Sequence, residues 1–233
     1  MGRRRSKALV TATILTVAVF SSTVATADSQ KSRAIDPNTV IAGRTFGDWS
    51  AAWWQWALSI PVSSHPLFDN GDCTTGQTGQ VFFLGGKFNP GTANATAKRQ
   101  CTVPNGKNIF FPIVNAVDVF PDPKLGDTIN SFRKANQDTI DGTTKLEADL
   151  DGRRLDDLGI LRFQSTVFDF VVPEGNLFGL PAGADASYIG VDDGVYVMLK
   201  PLSPGSHLLH FTGTFTVPSA GSLNITYQLK VSP

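Results

Sequence analysis

Two segments near the C-terminus, HLLHFTGTF (207–215) and LNITYQLKV (223–231), decide the fold. In both segments large apolar residues recur at every second position, and mostly polar residues fill the positions between them. A period of two places alternate side chains on opposite faces of a strand, and one polar face is typical of antiparallel sheets. Both segments are therefore predicted to be strands of an antiparallel sheet with one face against a core.

The same alternation extends through the last third of the chain and, more weakly, toward its centre. Alternation also occurs in residues 166–172 and 195–199. The hairpin signal Asp151-Gly152 lies between two further candidate strands, 146–150 and 154–158. Pro112 requires a bulge or an edge within the predicted strand region 108–119. Further short strands are predicted at 80–84 and 99–103. About nine strands separated by turns predict a mainly β fold, an antiparallel β-sandwich, with a jelly roll as one arrangement that fits. No internal repeat or long linker divides residues 45–233, so we expect a single domain there.

An apolar helix precedes the strands, in the segment TFGDWSAAWWQWALSIP (45–61). Thr45 is suited to cap the helix, Asp48 complements the helix dipole, and Pro61 ends the segment. Trp54 lies off the main apolar stripe and is predicted to carry an exposed ring. One further short helix is expected over 128–140. The stripe itself is predicted to pack on a core and consists of Phe46, Trp49, Trp53, Trp56 and Ile60.

The first 27 residues have the composition of an export signal. A basic start (residues 3–7) precedes an apolar run (8–20), and Ala25-Thr26-Ala27 fits the cleavage rule. Residues 8–27 carry no charge, so an uncleaved anchor is the alternative. We expect cleavage after Ala27, a loose N-terminal lead-in at 28–44, and a secreted or periplasmic protein without stable membrane insertion.

Cleavage changes the charge of the protein. The whole chain has 20 basic and 20 acidic residues. Residues 1–27 hold four of the basic residues and no acidic one, so 16 basic and 20 acidic residues remain, a net charge of about −4. This balance argues against a nucleic-acid partner. The hydrophobic fraction of 41% excludes wholesale disorder.

Cys73 and Cys101 are the two cysteines of the chain. In an oxidising compartment they are expected to form a disulfide. A reactive thiol or a metal-binding pair is the alternative, although the spacing between them matches no zinc motif.

Few residues carry an obvious chemistry. The sequence contains no nucleophile elbow, no metalloprotease HExxH, no phosphate-binding loop and no dinucleotide fingerprint. The acidic run around Gly152 and the segment Asp192-Asp193-Gly194 are interpreted as turns. No metal site and no cofactor are predicted. Asn94 and Asn224 begin glycosylation sequons whose use depends on the host.

The three histidines offer different possibilities. His65 precedes a proline, and Asp69 follows four residues later, so a contact between them could orient the imidazole. His207 and His210 are three apart on one strand and should point to opposite faces. We expect His207 to be partly buried and His210 to lie on a polar face with Thr212 and Thr214.

Two hypotheses for function follow. The first is non-catalytic binding of an extracellular glycan or small ligand, with Trp54, Tyr196 and His210 as candidate contacts. The second is an exported enzyme, of hydrolase or metal-assisted type, that uses His65 with Asp69, or His210 with a carboxylate from another loop. Convergence of the histidines and acidic residues in one cleft would favour catalysis.

Four segments together resemble a family of exported, mostly bacterial proteins of unknown function. They are WWQWALSIP (53–61), CTTGQTGQVFFLGG (73–86), CTVPNGKNIFFPIVN (101–115) and PLSPGSHLLHF (201–211). The resemblance covers roughly residues 45–231 and implies one shared domain with the two cysteines paired. It implies no catalytic or binding residue.

Overall fold

The computed structural model describes most of the chain after its N-terminal segment. The predicted signal peptide, residues 1–27, lies outside the described residues. All described residues belong to one compact unit. They are 33–69, 71–88, 94–120, 126–183, 186–216 and 220–233.

The described residues contain two α-helices and ten strands, so the protein is mainly β. The helices are α1 (Phe46–Leu58) and α2 (Gly126–Asp141), and α2 confirms the predicted second helix. The strands are β1 (Val81–Phe83), β2 (Asn94–Val103), β3 (Asn108–Phe120), β4 (Thr143–Leu150), β5 (Arg153–Arg154), β6 (Arg162–Gln164), β7 (Phe168–Phe170), β8 (Tyr188–Leu199), β9 (Gly205–Phe215) and β10 (Gly221–Val231).

The strands form two sheets that pack together as a sandwich. In the first sheet the order is β1-β3-β8-β6, with β7 also paired to β8, and in the second it is β2-β10-β9-β4-β5. Neighbours run antiparallel except for two parallel pairs, β1 with β3 and β2 with β10. The predicted β-sandwich with an N-terminal helix is confirmed, with both sheets mixed.

The two segments that decided the fold pair with each other. Strands β9 and β10 are antiparallel along their full length, from Phe215 opposite Gly221 to Gly205 opposite Val231. The bulge required by Pro112 is also present, since the register of β3 against β8 shifts between Pro112 and Val114. Local sequence patterns therefore placed these elements correctly.

Two apolar layers lie on either side of the first sheet. One fills the space between the sheets and includes Phe111, Val197 and Phe211. The other lies between the first sheet and α1 and includes Trp53 and Phe110. Because both faces of β8 are covered, all twelve of its residues are buried. The expectation of one polar face does not hold for this strand.

Helix α1 begins with the predicted cap. The Thr45 hydroxyl accepts a hydrogen bond from the Asp48 N–H, and the Asp48 carboxylate accepts one from the Thr45 N–H, which forms a capping box. The prediction of an exposed Trp54 ring is wrong, since Trp54 is only 6% exposed. Phe178 packs beside it, so the helix is covered on the side that the stripe pattern assigned to solvent.

The lead-in predicted at 28–44 is not loose where the structure describes it. Ala34 bridges Leu199 at the end of β8, and the Ile35 N–H donates to the Met198 carbonyl at 2.7 Å. Ile35 is buried in the helix-side layer. Backbone pairing and an apolar anchor thus fix this segment. No helix among the described residues is long and apolar enough to cross a membrane.

The predicted disulfide between Cys73 and Cys101 is present, with 5.8 Å between the two Cα atoms. It joins the loop after α1 to β2 in the second sheet. The same loop is held to the helix by the Trp56 indole N–H, which donates to the Thr75 carbonyl at 3.0 Å. The disulfide therefore links α1, through the loop that follows it, to the second sheet.

Candidate functional site

His65 and Asp69 do not form the predicted pair. His65 is fully buried, its Nδ1 accepts a hydrogen bond from the Leu67 N–H at 3.1 Å, and its Nε2 lies 2.8 Å from the Ala57 carbonyl. The imidazole is therefore neutral with the proton on Nε2, and burial lowers its pKa. The Asp69 carboxylate instead lies 2.5 Å from Lys87 Nζ. His65 holds the end of α1 to the following loop.

His207 and His210 lie on opposite faces of β9, as predicted. The His210 side chain is one-third exposed on the outer face of the second sheet, where Nε2 lies 3.0 Å from Asn224 Oδ1 and Nδ1 lies 3.6 Å from Asp149 Oδ2. The histidines and carboxylates do not converge on one cleft. Within the described residues, no group of three or more His, Cys, Asp and Glu side chains is placed to hold a metal ion.

His207 has two acceptors. Nδ1 lies 2.8 Å from Asp151 Oδ2 and Nε2 lies 2.9 Å from the Ser203 carbonyl, so the charged imidazolium satisfies both. Partial burial lowers the pKa of His207, but these hydrogen bonds outweigh it and the net pKa is raised. Burial likewise raises the pKa of Asp151, but hydrogen bonds from His207 and the Leu208 N–H bring the net pKa below 3.8.

This pair gives a pH-dependent contribution to stability. It is present below the ordinary imidazole pKa of 6.5 and is lost as pH rises through the raised pKa of His207. It is also lost as pH falls below 3.8 through the lowered pKa of Asp151. We expect His207→Gln to lower the free energy of unfolding by about 1 kcal/mol near pH 5.5 and by less near pH 8.5. Urea denaturation at both pH values measures this, with His210→Gln as the control. An equal loss at both values would contradict it.

Tyr196, a predicted ligand contact, is fully buried in a polar network on the α1 side of the first sheet. Its hydroxyl donates to Asp192 Oδ2 at 2.5 Å and accepts from Asn115 Nδ2 at 3.2 Å. The Ser50 hydroxyl lies 3.0 Å from Asp192 Oδ1. The Trp54 indole N–H lies beside the Tyr196 hydroxyl but forms no hydrogen bond of normal geometry with any described group. Tyr196 therefore acts by positioning other groups and cannot contact a ligand from the surface.

Asp192 is the acidic member of this network, and it lies within β8 and not in a turn as predicted. Burial raises its pKa to about 6, although the hydrogen bonds from Tyr196 and Ser50 oppose the shift. The folded protein therefore binds a proton at Asp192 more tightly than the unfolded chain does. This difference in proton affinity stabilises the folded state at low pH, and the stabilisation is lost as pH rises through about 6.

A cavity of about 370 Å³ lies beside this network, and we call it the β3-edge cavity. Its walls include residues 112–115 and Val117 of β3, residues from the ends of β2, β9 and β10, and Ile140 of α2. Asn115 lines the cavity and is held by Tyr196, so the network fixes one side of the wall. The aromatic residues of the wall are Trp53, Trp54, Phe88, Phe178 and Phe215.

The cavity exists because β1 is short. Strand β1 pairs with β3 only from Asn108 to Phe110, and within the described residues no strand continues this pairing beyond Phe110. The two sheets thus leave a gap beside the bulged part of β3. Side chains from α1, α2 and the loops border this gap, and none of the residues that the structure describes fills its centre.

Comparison with protein-family models, with curated proteins and with solved structures finds no match to this chain. The candidate site is therefore interpreted from its own geometry. Sequence reasoning missed Asn115 and Lys87, which both line the β3-edge cavity. Neither residue belongs to a local motif, because the cavity is assembled from distant segments. Trp54, which sequence reasoning selected for an exposed ring, belongs to the wall through its buried side chain.

Proposed function

We propose that this protein is an exported, non-catalytic binding protein that holds a small, largely apolar ligand in the β3-edge cavity. The observation that carries the proposal is an aromatic-walled cavity of about 370 Å³. Sites for small ligands are commonly concave, mostly apolar, and about 300–1,000 Å³ in volume. A few polar side chains, among them Asn115 and Thr143, give the wall points at which a ligand can be oriented.

Side chains that are already fixed in the free protein favour ligand binding more than flexible side chains would. The Trp53 indole N–H donates to the Leu84 carbonyl at 2.8 Å, which locks this ring into the wall. Asn115 is fixed by Tyr196 at 3.2 Å. A preformed wall loses little conformational freedom when a ligand binds. An apolar ligand fits this wall better than the glycan considered from sequence, because sugar hydroxyls need many polar partners.

Export is supported by the sequence and by the disulfide. The basic start, the apolar run and Ala25-Thr26-Ala27 have the order of a secretory signal. A disulfide such as Cys73–Cys101 is typical of proteins from oxidising compartments. We therefore propose that the mature protein resides in the periplasm or outside the cell. Purification of the protein from culture medium and from cell fractions, followed by N-terminal sequencing, tests export and cleavage after Ala27.

Filling the cavity tests the binding function. Val117 is partly buried, lines the cavity and lies on an extended strand, so Val117→Trp should place an indole inside it. We expect wild-type protein to enhance the fluorescence of the neutral apolar probe N-phenylnaphthylamine, and Val117→Trp to weaken probe binding by about tenfold or more. The measurement is a fluorescence titration.

Val119→Trp is the matched control, because Val119 lies two residues further on the same strand, is also partly buried and is absent from the cavity wall. This variant should bind the probe as the wild type does. Circular dichroism of both variants checks the fold. Absence of probe binding by the wild type, or equal binding by Val117→Trp, would overturn the proposal.

A further inference from the structure

One end of the β3-edge cavity carries positive charge. Lys87 lines the cavity, and its side chain is 21% exposed. Its Nζ lies 2.5 Å from Asp69 Oδ2, and Asp69 is 58% exposed. The carboxylate that neutralises Lys87 is therefore largely exposed to solvent, whereas Lys87 itself borders an apolar space.

A second cation lies behind the first. The Arg99 side chain is 7% exposed, and its Nη1 donates to the Gly86 carbonyl at 2.6 Å and to the Tyr227 hydroxyl at 3.0 Å. Its Nη2 donates to the Leu67 carbonyl at 3.1 Å. Leu67 and Gly86 both line the cavity, so Arg99 supports the cavity wall from behind.

The charges at this end do not balance. All hydrogen-bond partners of Arg99 in the preceding paragraph are neutral, and its contact with Asp69 Oδ1 is long, at 4.0 Å. Among the residues that the structure describes, these two cations thus share one mostly exposed carboxylate. Charges beside an apolar, poorly hydrated space interact more strongly than charges in water. A ligand with one negative charge would balance the cluster at the point where it opens into the cavity.

We propose that the ligand is a free medium-chain fatty carboxylate, whose chain fills the β3-edge cavity and whose carboxylate pairs with Lys87 in place of Asp69. This inference rests on the proposed function and names the ligand class for the same site. A single negative charge matches the excess charge of the cluster. The volume of about 370 Å³ lies near the lower end of the range for ligand sites, so it favours one short chain over a two-chain lipid.

The test compares decanoate with decanol, two ligands with the same chain length and different head groups. Decanoate below its critical micelle concentration and decanol below its solubility limit are each titrated against protein that holds N-phenylnaphthylamine, and displacement of the probe gives the affinity. Wild-type protein should bind decanoate about tenfold more tightly than decanol. Lys87→Gln should weaken decanoate binding by about tenfold and leave decanol binding unchanged.

Two further variants separate charge at the site from charge elsewhere. Asp69→Asn removes the competing carboxylate from an exposed position and should strengthen decanoate binding by about threefold. Lys230→Gln is the control, since Lys230 is exposed near the end of β10 opposite to the cavity residues Ser222 and Leu223. It should change neither affinity. Because tighter decanoate binding is expected for Asp69→Asn, a folding defect in this variant cannot produce the expected result.

The outcomes separate the two proposals. Equal affinity for decanol and decanoate, or decanoate binding that is unchanged in Lys87→Gln, overturns the head-group assignment while probe binding still supports the cavity. Failure of both ligands to displace a bound probe also overturns the assignment. Failure of the wild type to bind the probe overturns the proposed function and, with it, the inference.

Discussion

Converting both Cys73 and Cys101 to alanine is expected to lower the free energy of unfolding by roughly 3–4 kcal/mol. The two residues are 28 positions apart, and closing a loop of this length restricts the unfolded chain by about this amount in the chain-entropy model. Both side chains are buried between the sheets, so their loss also removes some packing. The double variant should unfold at a much lower urea concentration than the wild type.

Two spectroscopic probes make this experiment informative. All four tryptophans lie in α1, so intrinsic fluorescence follows the helical layer, whereas far-ultraviolet circular dichroism follows mainly the strands. Reduced wild-type protein is the control and should match the double variant in both signals. A loss below about 1 kcal/mol, or reduced protein as stable as oxidised protein, would contradict the assignment of the disulfide as a major support.

Elements with strong local patterns could be predicted from the sequence. The alternation in β9 and β10 reports one covered and one open face, and the structure has this arrangement. The bulge followed from Pro112, which cannot donate to a regular ladder. The helix cap followed from Thr45, although the reciprocal hydrogen bond from the Thr45 N–H to Asp48 was not predicted. In each case the physical cause lies within a few residues of its effect.

Elements decided by distant contacts could not be predicted. Asp192 and Asp193 precede a glycine, which favours a turn, but the structure places both within β8, with Ser50 hydrogen-bonded to Asp192 from 142 positions away. Trp54 appeared exposed because a helical stripe assumes that solvent covers the other side, and the loop carrying Phe178 covers it instead. Tertiary burial overrides local preference at these positions.

The candidate site is another feature that depends on distant contacts. The β3-edge cavity is lined by residues from α1, α2, five strands and three loops, and no local sequence pattern indicates it. Sequence reasoning searched for titratable groups close together in the chain and selected His65 with Asp69. The backbone satisfies both nitrogens of His65, and Lys87 attracts Asp69. An empty space between elements leaves no periodic signal in the residues that border it.

Replacing Arg162 by methionine is expected to lower the free energy of unfolding by about 3 kcal/mol, because it leaves a buried carboxylate without its charged partner. Arg162 binds Asp193 with two hydrogen bonds, from Nε to Oδ1 at 2.9 Å and from Nη2 to Oδ2 at 3.0 Å. The Asp193 side chain is only 2% exposed. These hydrogen bonds raise the pKa of Arg162, so the guanidinium stays charged at every accessible pH.

Arg162, which lies on β6, also connects α2 to β8. Its Nη1 lies 2.5 Å from Asp141 Oδ1 and its Nη2 donates to the Gln137 carbonyl at 3.1 Å, and both partners belong to α2. The side chain is 30% exposed, which places the expected loss at the lower end of the range for broken buried pairs. Lys134→Met is a suitable control, since its salt bridge with Asp138 on α2 is exposed and should contribute less than about 1 kcal/mol.

A double-mutant cycle separates the unpaired charge from lost packing. In the variant that combines Arg162→Met with Asp193→Leu, the buried charge is gone, and an apolar pair of similar volume can be nearly neutral for stability. We therefore expect the double variant to recover about 2 kcal/mol relative to Arg162→Met alone, measured by urea denaturation. If the two single losses simply add, the charge pair is not the cause. The contribution of Arg162 to stability would then come from its contacts with α2, which do not involve Asp193.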